Sequence, residues 1–562
     1  MLCKISLPHG IQEVSNDTFV CDVLCRDLGI IDDSAQSMKL PICMNHLRKV
    51  GYVGAQVDGE IVDLKARIAS NCTITPLTND DYFGRHIIMR SSAYLLVYAA
   101  KLVNPEAALE IGQSLHSQLF FYVKNVEDIE AFGKEVDKTF AKLCAKKIPF
   151  KNSLVPSSAA LSMVEDPEGD RRYVVNCWVG SKFDVVNIGD YTDLAYGPFV
   201  PDAGFLRSIK VVGMAEGLLL AQEPVRLPTE ELKKFMLGAA TQAKNWNRRM
   251  NIDTVGKLNR QILSGEGQNL VQVSETLHEL RIGEIAHDIL SRHGVKVVFI
   301  SGPSSSGKTS TVRRLSTHLQ AMGKRTVYVG LDDYYLPCEQ CPRDEKGDYD
   351  FEAIEALNLQ RIKNDLQSLV EGKPTKVPRF DFVNQRPFPA EEENSLCLGD
   401  EQILLMEGIH GLNPAITDAI PQEKHYAIFV SALPQLNMDN VNRVPTTYAR
   451  LLRRIIRDRR YRGISADSTI KRWPSVRRGE NKYIFPHQSR SDAIFNSALA
   501  YELAVFRHYA WPYLLEVPED SPSYTMARDM LRFLTKVVPM DSEWIPKNSV
   551  LREFLGGSIY QY

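Results

Sequence analysis

The stretch Val297-Val298-Phe299-Ile300-Ser301-Gly302-Pro303-Ser304-Ser305-Ser306-Gly307-Lys308-Thr309 decides how this chain is read. A short apolar run enters a loop bounded by Gly302 and Gly307, and Lys308-Thr309 then open a helical pattern, the spacing G-x-x-x-x-G-K-[ST]. The glycines let the backbone curl so that its N–H groups turn inward toward phosphate oxygens. Gly302, Ser304, Ser305, Ser306, Gly307, Lys308, Thr309 and Ser310 are therefore the expected cradle of a nucleoside triphosphate. Lys308 is placed to reach the β- and γ-phosphates, and the Thr309 hydroxyl to ligate Mg²⁺. The positive end of the following helix is aimed at the same phosphates.

Working outward, strand candidates at 295–301, 325–331, 402–407 and 425–431 alternate with amphipathic helical segments. That alternation predicts a parallel sheet covered by helices on both faces, an α/β architecture. In open sheets of this kind ligands lie beyond the carboxyl ends of the strands. The strand Thr326–Leu331 runs into Asp332-Asp333-Tyr334-Tyr335, so a carboxylate is expected beside the loop, able to take a proton from an attacking hydroxyl. The run Gln402–Met406 ends in Glu407-Gly408-Ile409-His410, where an acid would hold Mg²⁺ or its water. His410 reads equally well as a structural histidine.

Downstream lies Arg450-Leu-Leu-Arg453-Arg454-Ile-Ile-Arg457-Asp458-Arg459-Arg460-Tyr-Arg462-Gly463. Spacings of three and four line several arginines along one helix face, and guanidinium forks suit phosphate oxygens. The expectation is a lid closing over the triphosphate, with a solvated charge face or a nucleic-acid patch as competing readings. A formal net charge of −2 argues against polynucleotide binding as the main task.

In this order, the loop, D-x-[FY]-Y, M-E-G-I, the arginine run, Phe485-Pro486 and Ser491-Asp492 resemble the uridine kinase and phosphoribulokinase group over about residues 295–515. The resemblance implies an ATP- and Mg²⁺-dependent phosphotransferase. It aligns Asp332 with the catalytic base, Lys308 and Arg457 with groups that stabilise transferred charge, and Arg454 and Arg462 with further lid arginines. Glu407 aligns with the metal-associated acid, as Thr309 does with the metal-binding hydroxyl. Asp350, in Tyr349-Asp350-Phe351, aligns with the acid that binds ribose hydroxyls, and Tyr335 lies on the same acceptor side. The base pocket departs from the family pattern. Pro378-Arg-Phe380-Asp381-Phe382-Val-Asn-Gln385-Arg386-Pro387 has Phe380 where uridine–cytidine kinases carry tyrosine and Gln385 where they carry histidine. Pro387 stands at the arginine position, with Arg386 adjacent, and another lid arginine is Ile464. Polar swaps of this kind discriminate strongly between substrates, so uridine is not the implied acceptor.

Residues 1–75 read as short β segments with an Asp58-Gly59 hairpin signal, and resemble the ubiquitin-like TGS domain. Residues 84–220 mix a helical run, Ser92–Leu102, with β-like runs at Arg172–Val179 and Ser208–Val212. Gly112, Phe121-Tyr122 and the stretch Asp193–Pro201 give this part the look of the editing domain of threonyl-tRNA synthetases. Where that family carries metal-binding or proton-transferring residues, this chain has Arg90, Tyr94, Ala195 and Phe199, so editing hydrolysis is not expected. His116 survives nearby and alone. Residues 221–294 read as a helical connector, with Leu232, Phe235, Met236, Leu277, Leu280, Ile285 and Ile289 at helical spacing and a break at Gly265-Glu-Gly267. Residues 516–562 read as a tail docked on the body. Its ending, I-P-x-N-S-V-L-R-E-F-L-G-G-S, resembles that of microbial nucleoside kinases with synthetase-like N-terminal parts.

Composition bounds the rest. A chain of 562 residues with 44% hydrophobic and 24% charged residues is ordinary globular material. MLCKISLPHG is no secretory signal, no apolar run spans a bilayer, and ten scattered cysteines form no disulfide framework, so cytoplasm is the expected compartment. Cys338-Glu-Gln-Cys341 lacks a second pair and reads as two loop cysteines. The expected activity is ATP-dependent phosphorylation of the 5′-hydroxyl of a nucleoside, with a non-nucleoside sugar hydroxyl as an alternative acceptor. A translation-associated NTPase that binds RNA through its N-terminal part is the competing class. It lacks an N-K-x-D guanine-reading motif, and its acid sits in Met406-Glu407-Gly408 rather than D-x-x-G. Homo-oligomerisation stays open.

Overall fold

The computed structural model describes residues 2–30, 40–115, 118–166, 168–178, 180–230, 233, 238, 245–345, 347–381, 384–433 and 436–561. His116, Phe382 and the connector residues Leu232, Phe235 and Met236 lie outside these.

The P-loop unit is built on five strands: β1 Val297–Ser301, β2 Arg325–Gly330, β3 Gln402–Glu407, β4 His425–Ser431 and β5 Ala493–Asn496. They pair in the order β2-β3-β1-β4-β5, every pair parallel. The central strand β1 is buried throughout, as a continuous apolar run requires when both faces are covered. Period-two alternation divides its side chains between two cores. Val298 and Ile300 pack with Ile285 and Ile289 of the helix Gly267–Ser291, with Val312 and Leu315, and with Val550 and Phe554 from the C-terminal segment. Val297 and Phe299 face Ile362 and Leu366 of the helix Leu359–Val370. The four expected strands all form. The fifth, β5, is four residues with mixed burial and carries too little pattern to be read in advance.

Toward the N-terminus, strands Leu2–Leu7, Gly10–Ser15, Tyr52–Val57, Glu60–Val62 and Cys72–Thr78 make one five-stranded mixed sheet. The first strand runs parallel to the last, and the helix Val20–Asp27 packs its buried residues into the same core, a β-grasp arrangement. The hairpin signal is met: Val57 pairs with Glu60, with Asp58 and Gly59 both at positive φ. The next part combines the helices Tyr82–Val103 and Ile129–Ala145 with a four-stranded and a three-stranded antiparallel sheet.

The β-like reading of Arg172–Val179 is corrected. Arg171–Val175 is a short helix whose Val174 packs on Val255 and Leu258 of the helix Val255–Leu263. Tertiary packing there overrides the β preference of the adjacent valines. The break at Gly265-Glu-Gly267 does separate two helices, Val255–Leu263 and Gly267–Ser291. Among the described residues, no helix is long and apolar enough to cross a membrane, and no group of three or more His, Cys, Asp or Glu side chains is arranged to hold a metal ion. Cys338 and Cys341 are free thiols; Cys341 is buried and donates toward the Leu336 and Pro337 carbonyls.

Candidate active site

The loop between β1 and the helix α1, Lys308–Ala321, is shaped by glycine where a side chain could not fit. A Cβ on Gly302 would lie 1.9 Å from the Val430 carbonyl oxygen, and one on Gly307, at φ 82°, 2.4 Å from Val550. Ser305 is also left-handed, at φ 58°. The buried hydroxyls of Ser305 and Ser306 have no hydrogen-bond partner within the described chain, which marks them for an external acceptor. Lys308 is buried, its Nζ 3.4 Å from the Pro303 carbonyl and 3.9 Å from Glu407 Oε1.

At the end of β3, Glu407 Oε2 accepts from Thr309 Oγ1 at 3.3 Å and from the Tyr328 hydroxyl at 3.2 Å. Burial pushes the Glu407 carboxyl up to about 7, with Lys308 opposing and Asp332 and Glu553 adding to the rise. The paired oxygens of Thr309 and Glu407 suit a hard cation such as Mg²⁺, which takes one or two carboxylates and completes its shell with phosphates and water.

Asp332 sits in the single turn Leu331–Tyr334 that terminates β2, with its side chain open to the cleft. The protein crowded around it pushes its carboxyl up, while the positive fields of Lys308, Arg462 and Arg457 pull it down. A base with a raised pKa accepts a proton more readily. Glu352 was not singled out in the sequence. Its carboxyl is pushed up to about 7 by burial and by Glu480, against Arg454 and Lys308, and its Oε2 is buried without a partner. Asp350 sits two residues earlier and caps Glu352 N–H at 3.2 Å. Tyr335 donates to the Phe351 carbonyl at 2.8 Å, and its ring lies 5.8 Å from that of Phe380. Gln385, at φ 54°, and Arg386 lie exposed at the tip of a small hairpin in which Asp381 pairs with Arg386. Glu352 and Glu407 thus lie within the field of Asp332, and all three within that of Lys308, with Arg454 acting on Glu352 and Arg457 and Arg462 on Asp332. Tyr335, in ring contact with Phe380, lies within the fields of Asp332, Glu352 and Asp350. His410 is buried, pushed down to about 4 by that burial, and stacks edge-on to Tyr483 at 6.1 Å.

The arginine run forms the helix α2, Thr446–Arg462, closed by Gly463 at φ 63°. Its residues divide in a way that spacing did not reveal. Leu451, Leu452, Ile455 and Ile456 are core, so the first turns are fixed scaffold rather than a free flap. Arg450 and Arg453 face the loop from beneath: Arg450 donates twice to the Ser304 carbonyl at 3.1 Å, and Arg453 bonds Ser497. Glu480 completes that brace, pairing with Arg450 and accepting from Ser304 N–H at 3.2 Å. Arg454 donates to Ser304 Oγ at 2.8 Å and, with Arg457 and Arg462, surrounds the buried Asp458. Burial and the neighbouring Arg457 push Arg462 down to about 10, which still leaves it charged at neutral pH. Ile464, at the departed lid position, donates its N–H to the Asp458 carbonyl. The C-terminal segment supplies a further group: Glu553 Oε2 accepts from Ser310 N–H at 3.1 Å and from Ser310 Oγ at 2.7 Å.

Residues 297–503 match the model of the Phosphoribulokinase / Uridine kinase family, and this part of the chain is a P-loop kinase domain. The N-terminal region is similar to Threonine--tRNA ligases: 31% identical over 160 residues to that of Desulfosudis oleivorans, covering 28% of this chain and 25% of the relative. The ligase of Clostridium tetani is 27% identical over 167 residues, 29% of this chain and 26% of the relative. The chain thus spans about a quarter of the length of these curated relatives. Among solved structures, a "Possible Uridine Kinase from Bacillus stearothermophilus" covers 38% of this chain and 97% of its own, at 16% identity and a TM-score of 0.27, which adds nothing to the strand order already described. The molecule is a composite: synthetase-like regions joined to a P-loop kinase domain.

Proposed function

We propose that the kinase domain transfers the γ-phosphoryl group of ATP to the primary 5′-hydroxyl of a nucleoside. One observation carries this reading above the others: Asp332 stands exposed in the turn that ends β2, within the fields of Lys308, Arg457 and Arg462. The cations would serve hydrolysis as well as transfer; the carboxylate among them, able to take a proton from an acceptor hydroxyl, is what favours transfer.

In this reading Asp332 accepts the proton of the acceptor hydroxyl as its oxygen bonds to the γ-phosphorus and the bond to the ADP oxygen breaks. The loop amides, the free hydroxyls of Ser305 and Ser306, and Lys308 hold the phosphates. Arg454, Arg457 and Arg462 balance the charge that develops on the transferred group. Thr309 and Glu407 would hold Mg²⁺, which when bound neutralises the phosphate oxygens. Asp350 and Glu352 would hold sugar hydroxyls, and the Tyr335–Phe380 pair would give the base an apolar wall. Phe380 offers the base no hydroxyl, so selection rests on shape, with the exposed Gln385 and Arg386 as polar groups of the same hairpin. We extend the domain reading in the same terms: a TGS-like unit at 1–75, an editing-like unit at 84–220 and a kinase unit at 295–515.

The test is ADP formation by the full-length protein with Mg·ATP across ribonucleosides, deoxyribonucleosides and non-nucleoside sugars. Acceptor-dependent ADP with at least one nucleoside supports the proposal. ADP formed only with a non-nucleoside sugar moves the activity to that acceptor. The similarity to Threonine--tRNA ligases favours one second reading, an NTPase stimulated by RNA. Hydrolysis raised by tRNA or ribosomes and indifferent to nucleosides would select it.

A further inference from the structure

The segment 436–445, between β4 and α2, belongs to the kinase domain by sequence, yet it is anchored in the synthetase-like region. Val441 is buried in the N-terminal core. Its neighbours dock on an edge strand, Ala108–Leu115, whose pairing register breaks between Ile111 and Ser114. At that break the Asn440 carbonyl accepts from Ile111 N–H at 2.8 Å, and Asn437 Nδ2 donates to the Ile111 carbonyl at 2.9 Å. Arg443 donates to Ser114 Oγ at 3.0 Å. An edge strand exposes unpaired backbone groups, and here the kinase segment is what satisfies them.

The second anchor is Tyr94, in the core of the synthetase-like region. Tyr94 is fully buried; its hydroxyl donates to the Leu194 carbonyl and accepts from Asn442 Nδ2 at 2.7 Å. Asn442 is oriented in turn by Asp439, whose carboxylate also accepts the N–H groups of Val441 and Asn442 at 2.8 and 2.7 Å. Arg171 bridges the carboxylates of Asp193 and Asp439, tying the Asp193–Pro201 stretch to the same turn. Four residues beyond Asn442 the chain becomes α2, whose Arg450 and Arg453 hold the loop carbonyls.

From this continuity we propose that the synthetase-like region serves as the seat of the arginine helix, with Tyr94 and Asn442 as positioning residues for phosphoryl transfer. The proposal rests on the kinase reading above. Hydrogen bonds at Asn442 and Ile111 set where α2 begins, and α2 in turn sets where the loop carbonyls and Arg454, Arg457 and Arg462 stand. A small rotation of such a seat displaces charges at the reacting group, and misplacement by about 1 Å is enough to slow a positioned reaction strongly.

The experiment uses the full-length protein with Tyr94→Phe, Asn442→Ala and both together. Tyr94→Phe keeps the ring and its packing and removes only the bonded hydroxyl. Each single change is expected to lower kcat about fivefold, the worth of one buried hydrogen bond, with KM for ATP and acceptor within about twofold. The double variant is expected to lose clearly less than the product of the singles, because the Tyr94–Asn442 bond is common to both. Amide exchange of residues 446–462, read without substrate, is expected to quicken in all three, so this arm stands whatever the acceptor proves to be. Unchanged kcat and unchanged exchange in both singles would overturn the proposal. So would a double-variant loss equal to the product of the singles, or a loss of rate that merely tracks the unfolded fraction measured by circular dichroism.

Discussion

In the kinase cleft, Ser305 and Ser306 keep buried hydroxyls without partners, and the carboxyls of Asp332, Glu352 and Glu407 are held above their ordinary range. Around Tyr94 the corresponding groups are occupied from within: the Tyr94 hydroxyl bonds Leu194 and Asn442, Arg90 donates to the Pro198 carbonyl at 3.0 Å, and the Phe199 ring sits edge-on to Tyr94 at 4.9 Å. Buried polar groups normally find partners inside the protein. In the loop the unpartnered hydroxyls stand beside Lys308 and the helix start, where a phosphate oxygen would complete them; around Tyr94 most polar groups are met from within, although the Ser92 and Tyr196 hydroxyls are not. One chain therefore carries a loop with polar groups left without internal partners and, in its synthetase-like region, a Tyr94 hydroxyl bonded from both sides.

The sharpest way to break this contrast is at its open end. Asp332→Asn keeps the size of the side chain and removes its ability to take a proton. It is expected to lower kcat about a thousandfold, within the span ascribed to a positioned general base, with little change in the binding of ATP. ADP release with the best acceptor from the panel measures it. A variant within a few-fold of the parent would remove Asp332 from the chemistry.

At the closed end the expected effect falls on stability. Tyr94→Ala empties a fully buried aromatic site and should cost about 3–5 kcal/mol in urea unfolding of the intact chain. The matched change in the cleft, Ser305→Ala, deletes a buried hydroxyl that has no partner, so stability should move by less than about 1 kcal/mol while ATP binding weakens. If the two variants exchanged these outcomes, the assignment of one site as open and the other as filled would be reversed.

How much of this was legible in the sequence follows the same division. The phosphate loop was readable because its geometry is local: Gly302 and Gly307 are needed for reasons that lie within a few residues and the strand ends beside them. Asp332 and Glu407 were readable because each ends a recognisable strand. The valines of Arg171–Val175 misled because their partners, Val255 and Leu258, are some 80 residues away. The division of the arginines was hidden for a related reason. Spacing places Arg450, Arg453, Arg454 and Arg457 on a helix, but only burial of α2 against the core sends the first two to the Ser304 and Ser305 carbonyls and leaves the others around Asp458. Glu480 and Glu553 reach the loop from 176 and 243 residues downstream, and nothing in their own neighbourhoods announces it.

Glu352 sharpens the comparison through pH. Its carboxyl titrates near 7 in the folded protein against an ordinary value of 4.5, so the folded chain holds a proton that the unfolded chain releases between those values. Its effect on stability is therefore favourable at low pH and is lost as pH rises from about 4.5 to about 7, with a slope of at most about 1.4 kcal/mol per pH unit. Glu352→Gln should flatten the fall by about 1–2 kcal/mol in total once solvent screening is allowed for. Thermal unfolding of parent and variant from pH 5 to 8, without nucleotide, reads the difference. Parallel curves would mean that Glu352 is ordinary and that the cleft is less strained by like charge than its neighbours imply.

The smallest expected effect concerns the one place where the open site is itself partly filled. Ser310 N–H lies in the first turn of α1, among the donors a helix leaves unsatisfied, and it is occupied by the Glu553 carboxylate, as is the Ser310 hydroxyl. A carboxylate there is favourable while the loop is empty, since it meets the positive end of the helix. A nucleotide phosphate that uses the same amide must displace that charge or bind beside it, and either lowers affinity. Glu553→Gln keeps the length of the side chain and an oxygen able to accept from Ser310, and removes only the charge. KM for ATP is therefore expected to fall about three- to fivefold, or about 1 kcal/mol, with a small loss of thermal stability in the nucleotide-free protein. The gain should shrink as ionic strength rises, because its origin is repulsion between like charges. If KM for ATP instead rises while stability falls, Glu553 is a cap on α1 that nucleotide binding relies on, and the boundary between filled and open sites lies on the far side of Ser310.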